Sequence, residues 1–330
     1  MTSFTAAAAT MQQLSQVAME EASRLGLHEG DLELLFAALA VNDQAAGRAL
    51  RSIGITLDRV RAANDAMHAA HLARLGVSVD TLNPRQTVFR DTGEFTWAPR
   101  TVNVIEAAGD ESRGYAEAVL RALLAEPSGQ IDDLLKRLDT SAGEIRVALA
   151  AEAARLDVDS KADNGTSGRN DTVVEVFVPA PAEAVWGLLA DPARLHEWHP
   201  FAGAVDAASE AGHSTATGDV WTVLAPASNP DGTPIRGEAK RRRQMEIMEV
   251  EPPHLIGWRT TRPDQKPHGA TLLRVEISPA PGGCQVRATW TRTPGSRWHS
   301  VATWPVRPLR RFQRWITLTQ MTAAISRAFR

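Results

Sequence analysis

The sequence predicts two domains of different fold class, an all-α first half and an α+β second half in which an antiparallel sheet wraps a long C-terminal helix. A chain of 330 residues exceeds the usual size of one domain. Eight of the nine tryptophans lie after residue 180, so the two halves have different core chemistry. A polar segment separates them.

That segment, residues 156–171, is rich in Gly, Ser, Asn and Asp and holds almost nothing to bury. Such a composition is typical of a flexible linker. The predicted domains are therefore residues 1–155 and 172–330.

Composition narrows the class of protein. A hydrophobic content of 43% with 23% charged residues is typical of globular chains. The lone cysteine, Cys284, rules out an intramolecular disulfide and a cysteine-built zinc site, so we interpret it as a core residue in a reducing compartment. The best apolar run, residues 34–41, is too short to span a bilayer, and the start of the chain lacks the basic region of a signal peptide. We expect a cytoplasmic protein.

A net charge of −3 does not resemble the basic footprint of a nucleic-acid binder. The imbalance is mild but uneven, because residues 172–330 carry 19 Lys and Arg against 14 Asp and Glu while the first half is acidic. This asymmetry can steer a partner.

The first half is predicted to be helical. Residues 10–24, 31–39, 45–53 and 57–71 place apolar side chains three and four apart, with glycines between the segments. The pattern recurs 85 residues later, which predicts an internal duplication. The recurring pairs are Leu35/Leu120, Leu39/Leu124, Leu50/Leu135, Ile53/Leu138, Val60/Ile145 and Arg61/Arg146.

Residues 1–155 resemble the double repeat of Clp ATPase N-terminal domains, most specifically over residues 49–61. Phe4-Thr5 and residues 32–39 resemble the rest of the first repeat, and residues 97–100, 104–107 and 118–146 resemble the second. The family's Gly-Thr-Glu-His helix start is replaced here by Gly30-Asp31-Leu32-Glu33.

The resemblance implies a recognition platform for proteins, peptides or cyclic-peptide antibiotics, with Clp chaperone-protease components as possible partners. The candidate ligand-binding residues are Phe4, Leu32, Glu33, Trp97 and Glu117. The sequence contains no G-x-x-x-x-G-K-[ST] loop to cradle nucleotide phosphates.

The second half alternates strands and helices. Residues 172–178 predict a strand, residues 182–189 and 192–198 two short helices, and residues 308–329 a long closing helix. Further strands are predicted over residues 219–225, 237–250, 254–261, 271–279 and 284–293. This order predicts a helix-grip fold.

With the motifs at residues 178–186 and 189–200, residues 172–330 resemble the START-like (SRPBCC) superfamily of polyketide cyclases, dehydrases and lipid carriers. The resemblance implies an apolar cavity for a hydrophobic small molecule, although the same side chains could simply fill the core. The candidate lining residues are Trp198, Trp221, Trp258, Trp290, Phe312 and Ile316, with Leu309 and Ala323 on the same helix.

Catalytic and metal chemistry receive little support. His196 and His199 lie three apart but have no third ligand, so no metal or cofactor is predicted. The acid/base candidates on predicted strands are Glu238, Glu246, His254 and Glu276. Residues 240–243 form a basic cluster expected to protect a sheet edge or to lie in solvent. Arg307, Arg310, Arg311 and Arg314 form a second cluster that could meet an acidic partner or an anionic membrane surface.

The sequence therefore favours a non-catalytic binding protein. Its helical module would act as a decoy that sequesters Clp-directed antibiotics or as an adaptor of Clp proteolysis, and its grip domain would hold a hydrophobic molecule. The alternatives are a polyketide cyclase or dehydratase that uses the C-terminal cavity, and a pure interaction scaffold.

Overall fold

The computed structural model describes residues 3–74, 76, 95–109, 115–162, 171–203, 205, 215–228, 233–235, 237–264, 269–292 and 307–330. The chain divides into two compact units, residues 1–164 and 165–330, which we name the helical unit and the sheet unit.

The helical unit consists of helices joined by short turns, with one pair of two-residue parallel strands. Its elements are α1 Ser3–Leu25, β1 Glu29–Gly30, α2 Leu32–Val41, α3 Ala45–Ser52, α4 Leu57–Arg74, β2 Thr96–Trp97, α5 Pro99–Ala107, α6 Tyr115–Leu123, α7 Gln130–Arg137 and α8 Ala142–Ala162.

Helix α2 is the centre of this unit. It is apolar on every side except Glu33, and all ten of its residues are buried, as expected for a helix surrounded by others. It packs against α1, α3, α4, α6 and α7. The Asp31 carboxylate caps its first turn by accepting a hydrogen bond from the Leu32 amide at 2.8 Å.

The backbone carries an internal repeat. Helices α3 and α7 begin 85 residues apart, and so do α4 and α8. The turn after α3 holds Gly54 with a φ of +80°, and the turn after α7 holds Asp139 at the equivalent position with a φ of +54°. The same left-handed turn therefore ends the equivalent helices, although an aspartate replaces the glycine that this geometry favours.

The sheet unit is an antiparallel sheet with one long helix packed on it. Its elements are β3 Thr172–Val178, α9 Ala182–Ala190, α10 Leu195–Trp198, β4 Val220–Leu224, α11 Glu238–Arg241, β5 Arg242–Glu251, β6 Leu255–Thr261, β7 Thr271–Ala280, β8 Gly283–Arg292 and α12 Arg307–Arg327. The six strands follow the order β3-β8-β7-β6-β5-β4.

The register aligns large side chains across the sheet. Trp258 of β6 pairs with Ile247 of β5 and Leu273 of β7, and Leu273 pairs with Trp290 of β8. Paired residues point to the same face of an antiparallel sheet, so these four residues form one row across it. Helix α12 contacts β3 and β8. The predicted grip arrangement of a sheet and a long C-terminal helix is thus confirmed.

Two details of the predicted sheet are wrong. The strand expected over residues 237–250 begins as the helical turn α11, and only then continues as β5. Arg242 and Arg243 pair with Leu224 and Val223 of β4, and β5 lies between β4 and β6 in the sheet, so these two residues are not on an edge strand. Arg243 is buried, and that burial, followed by the charge of Arg262, lowers its pKa.

Candidate ligand-binding sites

Three tryptophans form the aromatic centre of the sheet unit. Trp198 ends α10, Trp221 lies in β4 and Trp258 lies in β6, and all three are buried in one apolar core. The ring centroids of Trp221 and Trp258 are 5.6 Å apart, with the rings tilted by 57°. The sequence predicted these residues as cavity lining, and their place in one core does not separate a filled core from a cavity.

Two of these rings carry a polar group that the core does not satisfy. Within the described residues, the indole nitrogens Nε1 of Trp198 and Trp258 are buried without a hydrogen-bond partner. A buried indole N–H usually finds an acceptor, because leaving it unpaired costs about 1–3 kcal/mol. The apolar core therefore contains two N–H donors that favour an acceptor.

His199 adjoins this cluster. Its ring lies 5.5 Å from Trp198 and 6.1 Å from Phe201, and Phe201 lies 6.3 Å from Trp290. The Phe201 amide donates to Nδ1 of His199 at 3.3 Å, so the neutral ring carries its proton on Nε2. Burial lowers the pKa of His199 to about 4, which keeps the ring uncharged at neutral pH.

Sequence reasoning considered His199 only as a weak metal candidate and did not predict its buried position beside the aromatic cluster. His196 is exposed and lies 2.8 Å from the Ala193 carbonyl. In the part of the chain that is described, no group of three His, Cys, Asp or Glu side chains is placed to hold a metal.

The remaining predicted lining residues are less central. Trp290 and Ile316 are half-buried, and Ala323 lies half-buried further along α12. The side chains of Phe312 and Leu309 lie outside the described residues.

The carboxylate candidates for acid/base chemistry lie in partly exposed ion pairs. Glu246 is 3.4 Å from Arg259, and Glu276 pairs with Arg274. His254 is exposed, and the side chain of Glu238 lies outside the described residues. Of these four predicted residues, the three with described side chains are not brought together in the aromatic core.

The helical unit contains a cavity of about 500 Å³ between α5 and α6. One face of each helix lines it, at positions three and four residues apart. The lining residues are Arg100, Asn103, Val104, Ala107 and Ala108 from α5 and its end, and Ala118, Arg121, Ala122, Ala125, Glu126 and Pro127 from α6 and the turn after it.

This α5–α6 groove has an apolar floor and a charged rim. Val104, Ala108 and Ala118 are buried at its base. On the rim, Arg100 pairs with Asp31 through Nε and Nη2, and Arg121 pairs with Glu117 in the same way. The carboxylate of Glu126 accepts hydrogen bonds from the amide and hydroxyl of Ser128.

The predicted ligand residues of the helical unit do not line this groove. Leu32 and Glu33 are buried in α2, which contradicts their expected role on a binding surface. The apolar helix is enclosed by its neighbours, and the Glu33 carboxylate is occupied inside by Gln130 and by His68, 3.4 Å away. This interior carboxylate raises the pKa of His68 by its hydrogen bond.

Trp97 packs edge-to-face on Phe95 at a centroid distance of 5.3 Å, and both rings lie against Gly30, where a Cβ would lie 2.6 Å from Phe95. Glu117 reaches the groove only through its ion pair with Arg121. The Phe4 side chain lies outside the described residues. The sequence signal that could have revealed the groove is the run of small residues at helical spacing, Ala118, Ala122 and Ala125.

Residues 170–326 match the family described as "Polyketide cyclase / dehydrase and lipid transport". This stretch is a domain of that family. No curated protein matches the chain.

Solved structures similar to the polyketide cyclase/dehydrase-type domain include CV1439 from Chromobacterium violaceum, 19% identical, covering 48% of this chain and 99% of that one at a TM-score of 0.32. Cgl2372 from Corynebacterium glutamicum is 20% identical, and the match covers 48% of this chain and 90% of that one at a TM-score of 0.33. DynU16, a protein in the dynemicin biosynthetic locus, is 16% identical, and the match covers 48% of this chain and 47% of that one at a TM-score of 0.33.

In the described part of the chain, no helix is long and apolar enough to cross a membrane. The polyketide cyclase/dehydrase-type domain is a ligand-binding domain by family.

Proposed function

We propose that the protein is a non-catalytic binding protein whose polyketide cyclase/dehydrase-type domain holds a neutral hydrophobic molecule bearing carbonyl oxygens. One observation carries the proposal: the apolar core contains two buried indole N–H groups without an acceptor among the described residues. A ligand carbonyl supplies the missing acceptor.

The charge state of the core favours a neutral ligand. His199 is uncharged at neutral pH because burial lowers its pKa to about 4. A carboxylate moved into this apolar surrounding would be costly without a charged partner. A ketone or quinone accepts the same hydrogen bonds at much smaller desolvation cost.

A matched pair of probes tests this proposal. Fluorenone carries one carbonyl, and fluorene has the same tricyclic shape with a methylene instead. Calorimetry on the full chain is expected to show tighter binding of fluorenone, and Trp258→Phe is expected to weaken fluorenone by about three- to tenfold while leaving fluorene unchanged.

Trp221→Phe is the matched control. It removes an indole from the same cluster, but the Nε1 of Trp221 is not among the buried nitrogens without a partner. Equal affinity for the two probes, or equal losses of fluorenone affinity in the two variants, would mean that the indole N–H groups do not bind the ligand carbonyl.

The second candidate is an enzyme of the cyclase or dehydratase type, and His199 is the observation that favours it. The Nε2–H of this buried neutral imidazole can donate a hydrogen bond to a substrate carbonyl oxygen and stabilise the negative charge that develops there. Conversion of a linear polyketone thioester to an aromatic product, followed by ultraviolet absorption and lost in His199→Asn, would establish this alternative.

For the helical unit, we propose capture of peptides or proteins, with the Clp-type identity as its finer form. The internal repeat and the open α5–α6 groove support a recognition role. In that form the unit is a decoy for cyclic-peptide antibiotics that target Clp, or an adaptor of the Clp protease. Calorimetry of the full chain with a cyclic peptide that binds authentic Clp N-terminal domains tests it, and an absence of heat at saturating concentration would reject the decoy.

A further inference from the structure

The two repeats of the helical unit treat one helix face differently. Phe36, Ala37 and Ala40 of α2 are all buried. The residues 85 positions later, Arg121, Ala122 and Ala125, instead line the α5–α6 groove. The face that is covered in the first repeat is therefore open in the second.

The helices packed on α2 and α6 also differ. Helix α1 packs on α2 and has 23 residues, whereas α5, which packs on α6, has nine. Phe36 supplies a large ring where the second repeat has Arg121, whose side chain is more than half exposed. Within its described residues, the second repeat thus has a shorter packed helix and lacks the large apolar side chain.

We propose that the α5–α6 groove is a docking site for an amphipathic α-helix of a partner protein, which inserts a large apolar side chain into the space that Phe36 fills in the first repeat. The proposal rests on the capture role proposed for the helical unit and names the partner's chemistry. The groove lining spans residues 100–107 of α5, about 10 Å at helical rise. Side chains at positions i, i+4 and i+7 of a partner helix cover the same length.

The rim favours a carboxylate on the flank of that helix. Arg100 and Arg121 both bind their acidic partners through Nε and Nη2. Across the described residues, the Nη1 groups of these two guanidinium ions have no hydrogen-bond partner and are available to an acceptor. Among the described lining residues, Glu126 carries the acidic group, and its carboxylate accepts hydrogen bonds from Ser128.

A displayed library of 14-residue helical peptides, selected against the full chain, tests the proposal. Enriched peptides are expected to carry Phe, Trp, Leu or Met at i, i+4 and i+7 with a flanking Asp or Glu. Ala122→Trp, which fills the groove, is expected to weaken their binding by about thirtyfold, as loss of an interface anchor does. Ala150→Trp, at an exposed alanine of α8, is the matched control and should bind normally.

Arg121→Phe is the second blocking variant, because it restores the side chain of the first repeat and should fold at least as well as the parent protein. Circular dichroism checks both variants. Enriched peptides without helical spacing, peptides unaffected by both blocking variants, or a dimer of the parent chain that Ala122→Trp dissociates would each overturn the proposal. If a native partner is still captured by both variants, the capture role survives and only the groove assignment fails.

Discussion

Replacing Arg51 by Met should lower the free energy of unfolding of the helical unit far more than the equivalent change in the second repeat does. The Arg51 side chain is buried, with the residue 3% exposed, and its Nη1 donates to the carbonyls of Ala40 and Asn42, both at 2.8 Å. These carbonyls belong to the end of α2, where the helix leaves acceptors unpaired. Burial lowers the pKa of Arg51 to about 10, so the guanidinium remains charged at neutral pH.

The magnitude follows from the two lost hydrogen bonds. Each charge-assisted bond is worth about 1.5–3 kcal/mol, and Met fills most of the space without replacing the donor. We expect a loss of about 3 kcal/mol, which lowers the Tm of a unit of this size by about 6–12 °C. The equivalent residue, Lys136, has a side chain that is 74% exposed and pairs with Asp133 at 3.0 Å, so Lys136→Met should change stability by about 0.5 kcal/mol at most.

Hydrogen exchange followed by mass spectrometry measures both variants on the full chain, because peptides from α2 and α3 report the helical unit separately from the sheet unit. Circular dichroism at 222 nm gives the accompanying Tm. A loss below about 1 kcal/mol for Arg51→Met, or equal losses for the two variants, would refute the argument that the buried guanidinium holds the end of α2.

Three further outcomes are expected. The Glu33 hydrogen bond raises the pKa of His68, so the charged pair contributes about 0.5 kcal/mol to the free energy of unfolding. This contribution is complete below pH 6.5 and is lost as the pH rises through the raised pKa. Urea unfolding between pH 6 and 8 should show this decline, and His68→Gln should remove it. Gly54→Ala should destabilise the helical unit by about 1–2 kcal/mol and Asp139→Gly should stabilise it, since both positions have positive φ; a gain in Tm from Gly54→Ala would contradict the shared turn. Cys284 is buried and desolvation raises its pKa to about 11, so N-ethylmaleimide at pH 7.5 should react about 100-fold more slowly than with free cysteine until the sheet unit unfolds.

Secondary structure was largely predictable from local patterns. The strand over residues 172–178 was predicted with the bounds that the structure has, and the helix starts at Ala45 and Leu57 were also correct. These segments have strong periodicity and clear turn residues at their ends. The helical turn α11 was missed because four residues of charged sequence carry no periodic signal.

The candidate sites were only partly predictable. Trp221 and Trp258 of the sheet and Trp198 of α10 lie in one core, and their role as cavity lining stays a prediction. Leu32 and Glu33 were wrongly assigned to a binding surface, because sequence does not show that a helix is enclosed on all sides. The α5–α6 groove depends on two helix faces brought together by packing, which no single segment of the sequence encodes.

By itself, the sequence determined the two fold classes, the polar boundary between them and the 85-residue repeat, because composition and periodicity are local properties. Only the tertiary structure decided which buried polar groups are left without a hydrogen-bond partner and which helix faces remain open. Those properties depend on the neighbouring elements: Ala37 and Ala40 of α2 are buried, whereas the equivalent Ala122 and Ala125 of α6 and its following turn line the open groove. They arise because packing joins residues that are distant in the chain.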